Sequence, residues 1–386
     1  MRTQSSVDAN IAFYISDYGY GHASRSIALI RQLMLMHKRL RFVVCSSFPI
    51  PFMQASLQPF KDRIVYRNDY CELGYELYLH SMEPDISAMR SAYERFTDEL
   101  PARVQREVLL LKEQEVQLVL SDMAAVPFAA AGQLGIPSIG ISNFTWYTAY
   151  RGMLDHDQLI DLYALYVQMD YYAALPGAKE PRWGRLGQSQ FGFYSREVDQ
   201  QEVNRIRSLL PADKRIVFTA LGMKIDAQHI SEWRLWADED VHYIVSANMN
   251  VPLSNVTSIP AEYTETQHYV AAADVIVTKA GWGMISEAVC CGKQLFIMER
   301  HRMQEDENTL LALASQYPYV SVPWEALKTK SFSELERIGE RCGPPQATQG
   351  TDRIVAIVRY INEIMTTLQL RRDDHDEANS TIRRLG

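Results

Sequence analysis

The sequence predicts an α/β protein built from two doubly wound parallel sheets. Apolar runs of strand length alternate with helical stretches from residue 11 to 142, and the alternation restarts at Arg215. In each half one strand also runs through glycines into a helix, at Gly19–Gly21 and at Gly281–Gly283. Strands that alternate with helices pair in parallel, and the helices cover both faces of the sheet.

The elements follow in order. IAFYIS (11–16) is a strand, and His22–Met36 a helix with Ile27, Ile30 and Leu33 on one side. RFVVCS (41–46) is a second strand, and Arg90–Glu115 is helical with an interruption at Pro101. QLVLSD (117–122) is a buried strand, Ala124–Leu134 a helix, and PSIGIS (137–142) a strand after the Gly135-Ile136-Pro137 turn. Residues 151–185 are rich in tyrosine and end in LPGAKEPRWGRLG, the approach to a crossing between halves. The second half runs through RIVFTALG (215–222), VHYIVSAN (241–248), DVIVTK (274–279) and QLFIME (294–299). Ile354, Ile357, Val358, Ile361, Ile364 and Met365 recur at helical spacing within Thr351–Leu370. The expected division is a first domain over 1–185, a second over 186–350, a helix over 351–370 and a flexible tail over 371–386.

Composition bounds the function. A chain of 386 residues can bury two cores, and 47% hydrophobic with 22% charged residues is ordinary for a globular protein. No apolar run approaches the ~18 residues of a membrane span, and the polar MRTQSSVDAN start is not a signal peptide, so a cytoplasmic location is expected. A net charge of −8 argues against nucleic acid and against anionic lipid as partners. The five cysteines have no C-x-x-C spacing, so neither a zinc site nor a disulfide framework is expected. The DDHDE run in the tail has ligand chemistry, but a solvated charge run is the simpler reading. The apolar FPIPFM (48–53) has the composition to touch lipid, with a buried loop as the default.

The most informative stretch is DVIVTKAGWGMISE (274–287). A buried strand enters a turn with Gly281 and Gly283, and a helix follows. Unpaired N–H groups and the positive end of a helix suit a phosphate there, and a Cβ would hold the backbone away from it. Lys279 adds a full charge, and Glu287, about one turn on, can accept two hydrogen bonds from a ribose diol. The same strand–turn–helix also joins any α/β unit, so spacing alone leaves both readings open.

The second site is Gly19-Tyr20-Gly21-His22 together with Asp122. A dinucleotide fingerprint fails here, because Ser24 stands at its third glycine and Cys45–Ser46 stand where an acidic residue should end the second strand. The loop instead offers a histidine at the carboxyl end of a strand, where ligands of open α/β sheets bind. Asp122 ends another strand and could orient the His22 ring, leaving its other nitrogen as a base. The alternative makes His22 a helix-start residue and Asp122 a cap. Asn143 and Trp146, in NFTW (143–146), border the same cleft as candidate acceptor contacts, or are packed core. Arg25 faces acceptor or phosphate charge, or pairs with a carboxylate. The turn Leu221-Gly222-Met223 is a candidate approach to the pyrophosphate.

These stretches resemble GT-B glycosyltransferases. Residues 279–287 align with the HCGWNSxxE core of the plant UDP-sugar transferases (family 1 type), with Lys279 in place of the His and Gly281–Trp282 matching. They also resemble the R-A-G-x-x-x-x-S-E stretch of the peptidoglycan N-acetylglucosaminyltransferases (family 28 type), where Lys279 replaces the Arg and Ser286–Glu287 match. Gln304-Glu305-Asp306-Glu307-Asn308 falls where these families carry D/Q-Q-x-x-N, with Glu305 replacing the second Gln. ISDYGYGHASRS and LVLSDMAAVPFAAAGQLGIPSIGISNFTW resemble a bacterial glycosyltransferase group similar to the N-terminal region of plant arabinokinases.

The resemblance implies two Rossmann-like domains facing across a cleft, with the C-terminal helix returning to the first. It implies a nucleotide-diphosphate sugar as co-substrate, with UDP as the favoured nucleotide, and no metal or other cofactor. The donor would lie on Gly222, Lys279, Gly281, Trp282, Gly283, Ser286, Glu287, Gln304 and Glu305, and the acceptor (a small molecule, glycan or lipid-linked group) on Gly21, Arg25, Asn143 and Trp146. His22 would be the base of an inverting transfer and Asp122 its partner. A nucleotide-sugar epimerase and a noncatalytic nucleotide-sugar-binding module are the alternatives.

Overall fold

The computed structural model describes residues 7–68, 72–78, 84–222, 229–298, 303–339 and 353–368. The expectations for Met223, for 351–352 and 369–370, and for the tail with its DDHDE run lie outside the described residues.

The first sheet holds β1 (Asn10–Ile15), β2 (Arg41–Ser46), β3 (Ile64–Asn68), β4 (Leu118–Asp122), β5 (Ser138–Ser142), β6 (Tyr171–Ala174) and β7 (Gly187–Gln190). Their order is β3-β2-β1-β4-β5-β6-β7, every pair parallel. The second sheet holds β8 (Arg215–Ala220), β9 (Val241–Val245), β10 (Val256–Ser258), β11 (Val275–Lys279), β12 (Gln294–Met298) and β13 (Val320–Val322). Its order is β10-β9-β8-β11-β12-β13, again all parallel. Both sheets reverse their winding beside their first strand, between β1 and β4 and between β8 and β11. The carboxyl ends of such a strand pair are where open α/β sheets bind ligands.

The central strands β1, β4, β5, β8, β9 and β11 are buried almost throughout because helices cover both faces, hence their continuous apolar composition. The helix Tyr20–Met36 buries Ala23, Ile27, Ile30, Leu33 and Met34 on the first sheet. The long helical stretch after Asp85 splits into Ile86–Asp98 and Leu100–Glu113, with Pro101 in the first turn of the second helix, where its missing N–H has no partner to lose. Strand β7 lies past residue 185 and pairs with β6, so the first sheet extends to Gln190.

The polypeptide then crosses to the second domain through Phe191–Asp199. A helix over 353–368 buries Ile354, Ile357, Val358, Ile361, Ile364 and Met365. It reaches the first domain at His37, whose Nε2 lies 2.7 Å from Asn362 Oδ1. Among the described residues no helix is long and apolar enough to cross a membrane.

Candidate active site

The turns at the two winding reversals face each other. Gly21 and Gly283 abut across the domain boundary, where a Cβ on Gly283 would stand 2.7 Å from Gly21 Cα. Any larger residue at 283 would push the domains apart. The first-domain and second-domain glycine turns therefore meet at the domain boundary.

On the first-domain side, β1 and β4 are neighbours with Ile15 opposite Asp122, which sets the helix start beside the Asp122 carboxylate. His22 Nδ1 lies 3.1 Å from Asp122 Oδ1, and both residues are buried. Arg25, one turn further along the same helix, grips Asp122 as well. Its Nε donates to Oδ2 at 2.8 Å and its Nη2 donates to Oδ1. Nη2 is also 2.9 Å from His22 Nδ1, and Nη1 donates to Asn143 Oδ1 at 3.0 Å. Burial opposes the Asp122 charge, but the charge and hydrogen bonds of the Arg25 guanidinium outweigh it and hold the carboxyl below its usual range. Burial likewise works against the Arg25 charge, and Asp122 more than offsets it, so this guanidinium stays protonated. Arg25 is thus committed to Asp122, leaving little of it to face a ligand.

Asn143 is fully buried, and its carbonyl accepts from Asn308 Nδ2 of the second domain at 2.8 Å. Trp146 is packed core. It is 1% exposed, meets Tyr18, Tyr75, Phe144 and Tyr150 edge-on, and donates Nε1–H to Glu72 at 3.2 Å. Glu72 accepts a second bond from Asp17 N at 3.0 Å, and burial with the Asp17 charge pushes its carboxyl up to about 8.

On the second-domain side, Lys279 ends β11 and lies across both glycine turns. A Cβ on Gly222, which has φ +94°, would come within 3.0 Å of Lys279 Cε, and one on Gly281 would meet Cε at 3.2 Å and Nζ at 3.4 Å. The glycines let the ammonium group pass between the ends of β8 and β11. The helix Trp282–Cys290 starts on Gly281 without a side-chain cap. Glu305 stands in for one, accepting from Trp282 N at 3.1 Å. A carboxylate of the chain thus occupies part of the helix N-terminus expected for phosphate.

Glu287 sits in the second turn of this helix, which begins at Trp282. Its Oε1 accepts from Arg196 Nε at 3.2 Å and Nη2 at 2.9 Å, and both side chains are buried. Ser286 donates to Tyr194 O at 2.5 Å and ties the helix to the crossing segment. Gln304 donates its amide to Asn308 Oδ1 at 2.8 Å and its N–H to Tyr75 OH at 3.3 Å. The Trp282 ring packs on Phe193 and Tyr194 and carries the Arg25 guanidinium 5.1 Å from its centroid.

Three buried donors at this boundary, Trp282 Nε1, Asn143 Nδ2 and Tyr194 OH, have no hydrogen-bond partner among the described residues. A ligand rich in oxygen acceptors would supply one. An opening of about 440 Å³ away from these residues is lined by Arg31, Glu197, Asp199, Glu265 and His268, and its acidic lining has the wrong sign for a diphosphate. Among the described residues no three His, Cys, Asp or Glu side chains converge as a metal site.

Sequence reasoning selected His22 with Asp122 on the first domain and Lys279, Gly281, Gly283 and Glu287 on the second. It missed Arg196, which lies in an aperiodic crossing segment, and Asn308, although Asn308 closes the quoted Q-E-D-E-N run.

Solved structures share this fold. The calicheamicin glycosyltransferase CalG4 matches 98% of this chain and 98% of its own, with a TM-score of 0.58 and 16% identity. This chain has the GT-B fold. Arabidopsis thaliana UGT89C1, solved with UDP-L-rhamnose, has a TM-score of 0.60 over 94% of this chain and 100% of its own, at 11% identity. SnogD, a glycosyltransferase from Streptomyces nogalater, has a TM-score of 0.54 over 95% and 99%, at 12% identity. No family model matches the sequence. Among curated proteins, the L-arabinokinase of Arabidopsis thaliana is 21% identical over 306 residues, which is 76% of this chain. The chain spans 28% of that relative's length.

Proposed function

We propose that this protein moves a sugar, of hexosyl or N-acetylhexosaminyl type, from a nucleotide-diphosphate sugar to a hydroxyl or other nucleophile of an acceptor, with inversion. The observation that carries this reading is the His22–Asp122 contact of 3.1 Å at one winding reversal, placed against the Lys279–Gly283 turn at the other. The GT-B glycosyltransferases above, one of them solved with UDP-L-rhamnose, support UDP as the donor nucleotide.

In this reading the diphosphate lies along Lys279 and the N-terminus of Trp282–Cys290, displacing the Glu305 carboxylate from Trp282 N. Glu287, backed by Arg196, takes the ribose. The Gly21 and Gly283 turns part to admit the sugar. The acceptor oxygen attacks the anomeric carbon from the first-domain side as the bond from that carbon to the diphosphate oxygen breaks. The acceptor proton passes to His22 Nε2, and the nucleoside diphosphate leaves with the bonding electrons. Lys279 and the helix dipole meet the charge that builds on it, so that no metal is called for. Asp122 acts as a positioning residue that holds the ring.

A nucleotide-sugar epimerase is the alternative, and it would consume its UDP-sugar without an acceptor. The test is nucleotide release from UDP-sugars with and without an acceptor panel. His22→Ala is expected to lower turnover by about 10²–10⁴-fold with donor binding kept. Turnover unchanged in His22→Ala at saturating substrates would remove His22 as the base.

A further inference from the structure

We propose that Arg25 is a positioning residue that decides which ring nitrogen of His22 carries the proton, and that the second domain governs it. The catalytic consequence rests on the transfer reading above; the proton's position does not.

The argument begins with a conflict at one atom. His22 Nδ1 has Asp122 Oδ1 at 3.1 Å, which can only accept, and Arg25 Nη2 at 2.9 Å, which can only donate. A neutral imidazole nitrogen does one or the other. If Nδ1 keeps the proton, it donates to Asp122, and Nε2 is a free base. If Nδ1 accepts from Arg25, the proton sits on Nε2, and that nitrogen cannot take one from an acceptor. Arg25 holds Asp122 through a two-point fork, and its Nη2, which donates to the Oδ1 that faces His22, stands 2.9 Å from His22 Nδ1. A proton on Nδ1 would therefore point into a cationic neighbour. With the two domains in contact, the geometry assigns the proton to Nε2, which is an idle base.

The far edge of the guanidinium is held from the second domain. Its face lies over Trp282 of that domain at 5.1 Å, and Nη1 donates to Asn143 Oδ1 of the first domain at 3.0 Å. Asn143 is pinned in turn by Asn308 Nδ2 on its carbonyl at 2.8 Å, and Asn308 accepts from Gln304 at 2.8 Å. Trp282 N is fixed by Glu305. Every restraint on the Arg25 plane other than Asp122 and His22 thus leads to the two helices expected to hold the donor. A ligand that takes Trp282 N from Glu305 and parts Gly21 from Gly283 loosens that plane. His22 Nδ1–H can then turn to Asp122, freeing Nε2. The base becomes available once the donor is seated.

The experiment is nitrogen NMR of the full chain labelled with ¹⁵N-histidine at neutral pH, with His22 assigned from the spectrum of His22→Gln. The wild type is expected to show the Nε2–H form. Arg25→Lys, with its fold checked by circular dichroism and thermal melt, keeps the buried charge but lacks the fork and is expected to move His22 to the Nδ1–H form. Asn308→Ala leaves the Arg25–Asp122 pair intact and is expected to move His22 part of the same way, as is saturating UDP in the wild type. The same tautomer in wild type and Arg25→Lys would overturn the role of Arg25. An unchanged tautomer in both Asn308→Ala and UDP-bound wild type would overturn the control by the second domain. If no nucleotide or nucleotide sugar binds, the transfer reading falls, while the comparison of wild type with Arg25→Lys still decides the inference.

Discussion

Glu72→Gln should make this protein more stable at alkaline pH and slightly less stable in acid. Glu72 is 6% exposed, and its two oxygens accept from Asp17 N and Trp146 Nε1. Burial first, and the Asp17 charge second, push its carboxyl from 4.5 up to about 8. The folded chain therefore keeps this group protonated where the unfolded chain ionises it. The resulting penalty is absent below pH 4.5, grows as pH rises, and is complete near pH 8. At about 1.4 kcal/mol per pH unit the full penalty is about 5 kcal/mol. Glutamine cannot ionise, so it removes that penalty. It can accept only one of the two bonds, which costs about 1–2 kcal/mol at every pH. The net expectation is a gain of about 3 kcal/mol at pH 8.5 and a loss of about 1 kcal/mol at pH 4. Urea unfolding of both proteins at the two pH values, followed by tryptophan fluorescence near Trp146, measures the difference. A stability change of the same sign and size at both pH values would refute the reasoning.

Other expectations concern the boundary between the domains. Glu265 accepts from Arg31 Nη1 at 2.8 Å and Nη2 at 2.7 Å; burial opposes its charge, yet Arg31 and Arg196 hold its carboxyl down at about 2. Its contribution is present above pH 4.5 and is lost as pH falls towards 2, so Glu265→Gln should flatten that acid limb. The pair is about a quarter exposed, which limits the effect to about 1–2 kcal/mol, read from acid denaturation curves. Gly283→Ala would set a methyl group against Gly21 and should lower stability by about 1–3 kcal/mol in a thermal melt. An unchanged melt would mean that the two turns do not touch in solution.

Much of the fold could be read in the sequence because its central strands are buried on both faces. IAFYI, LVLSD and VIVTK announce themselves as apolar runs bounded by turns. The strands that escaped notice are short or lie towards the edges: β3 reads IVYRN, β6 YYAA, β7 GQSQ, β10 VTS and β13 VSV, none a sustained apolar run. At the site, His22, Asp122 and Lys279 were legible because strand-end residues next to glycine turns have few places to go. Their partners were not. Arg25 and Asp122 are 97 residues apart, and Arg196 and Glu287 are 91 apart, so no local pattern joins them. Trp146 illustrates the same limit. An aromatic at a loop tip reads equally as a sugar platform or as core, and only the packing of Tyr18, Tyr75 and Phe144 around it decides.

The central claim is that the second domain holds a nucleotide-diphosphate sugar, and the direct test is ligand-induced thermal stabilisation across UDP-, GDP-, dTDP- and ADP-sugars. The choice of control matters. Glu287→Ala would strand the buried Arg196 guanidinium and cost about 3 kcal/mol without any ligand, so Glu287→Gln is the cleaner variant. A hundredfold excess of the true donor over its dissociation constant should add about 2.7 kcal/mol of stability to the wild type, selectively for one nucleotide, and markedly less to Glu287→Gln. No stabilisation by any of the four, or equal stabilisation of both proteins, would contradict the account.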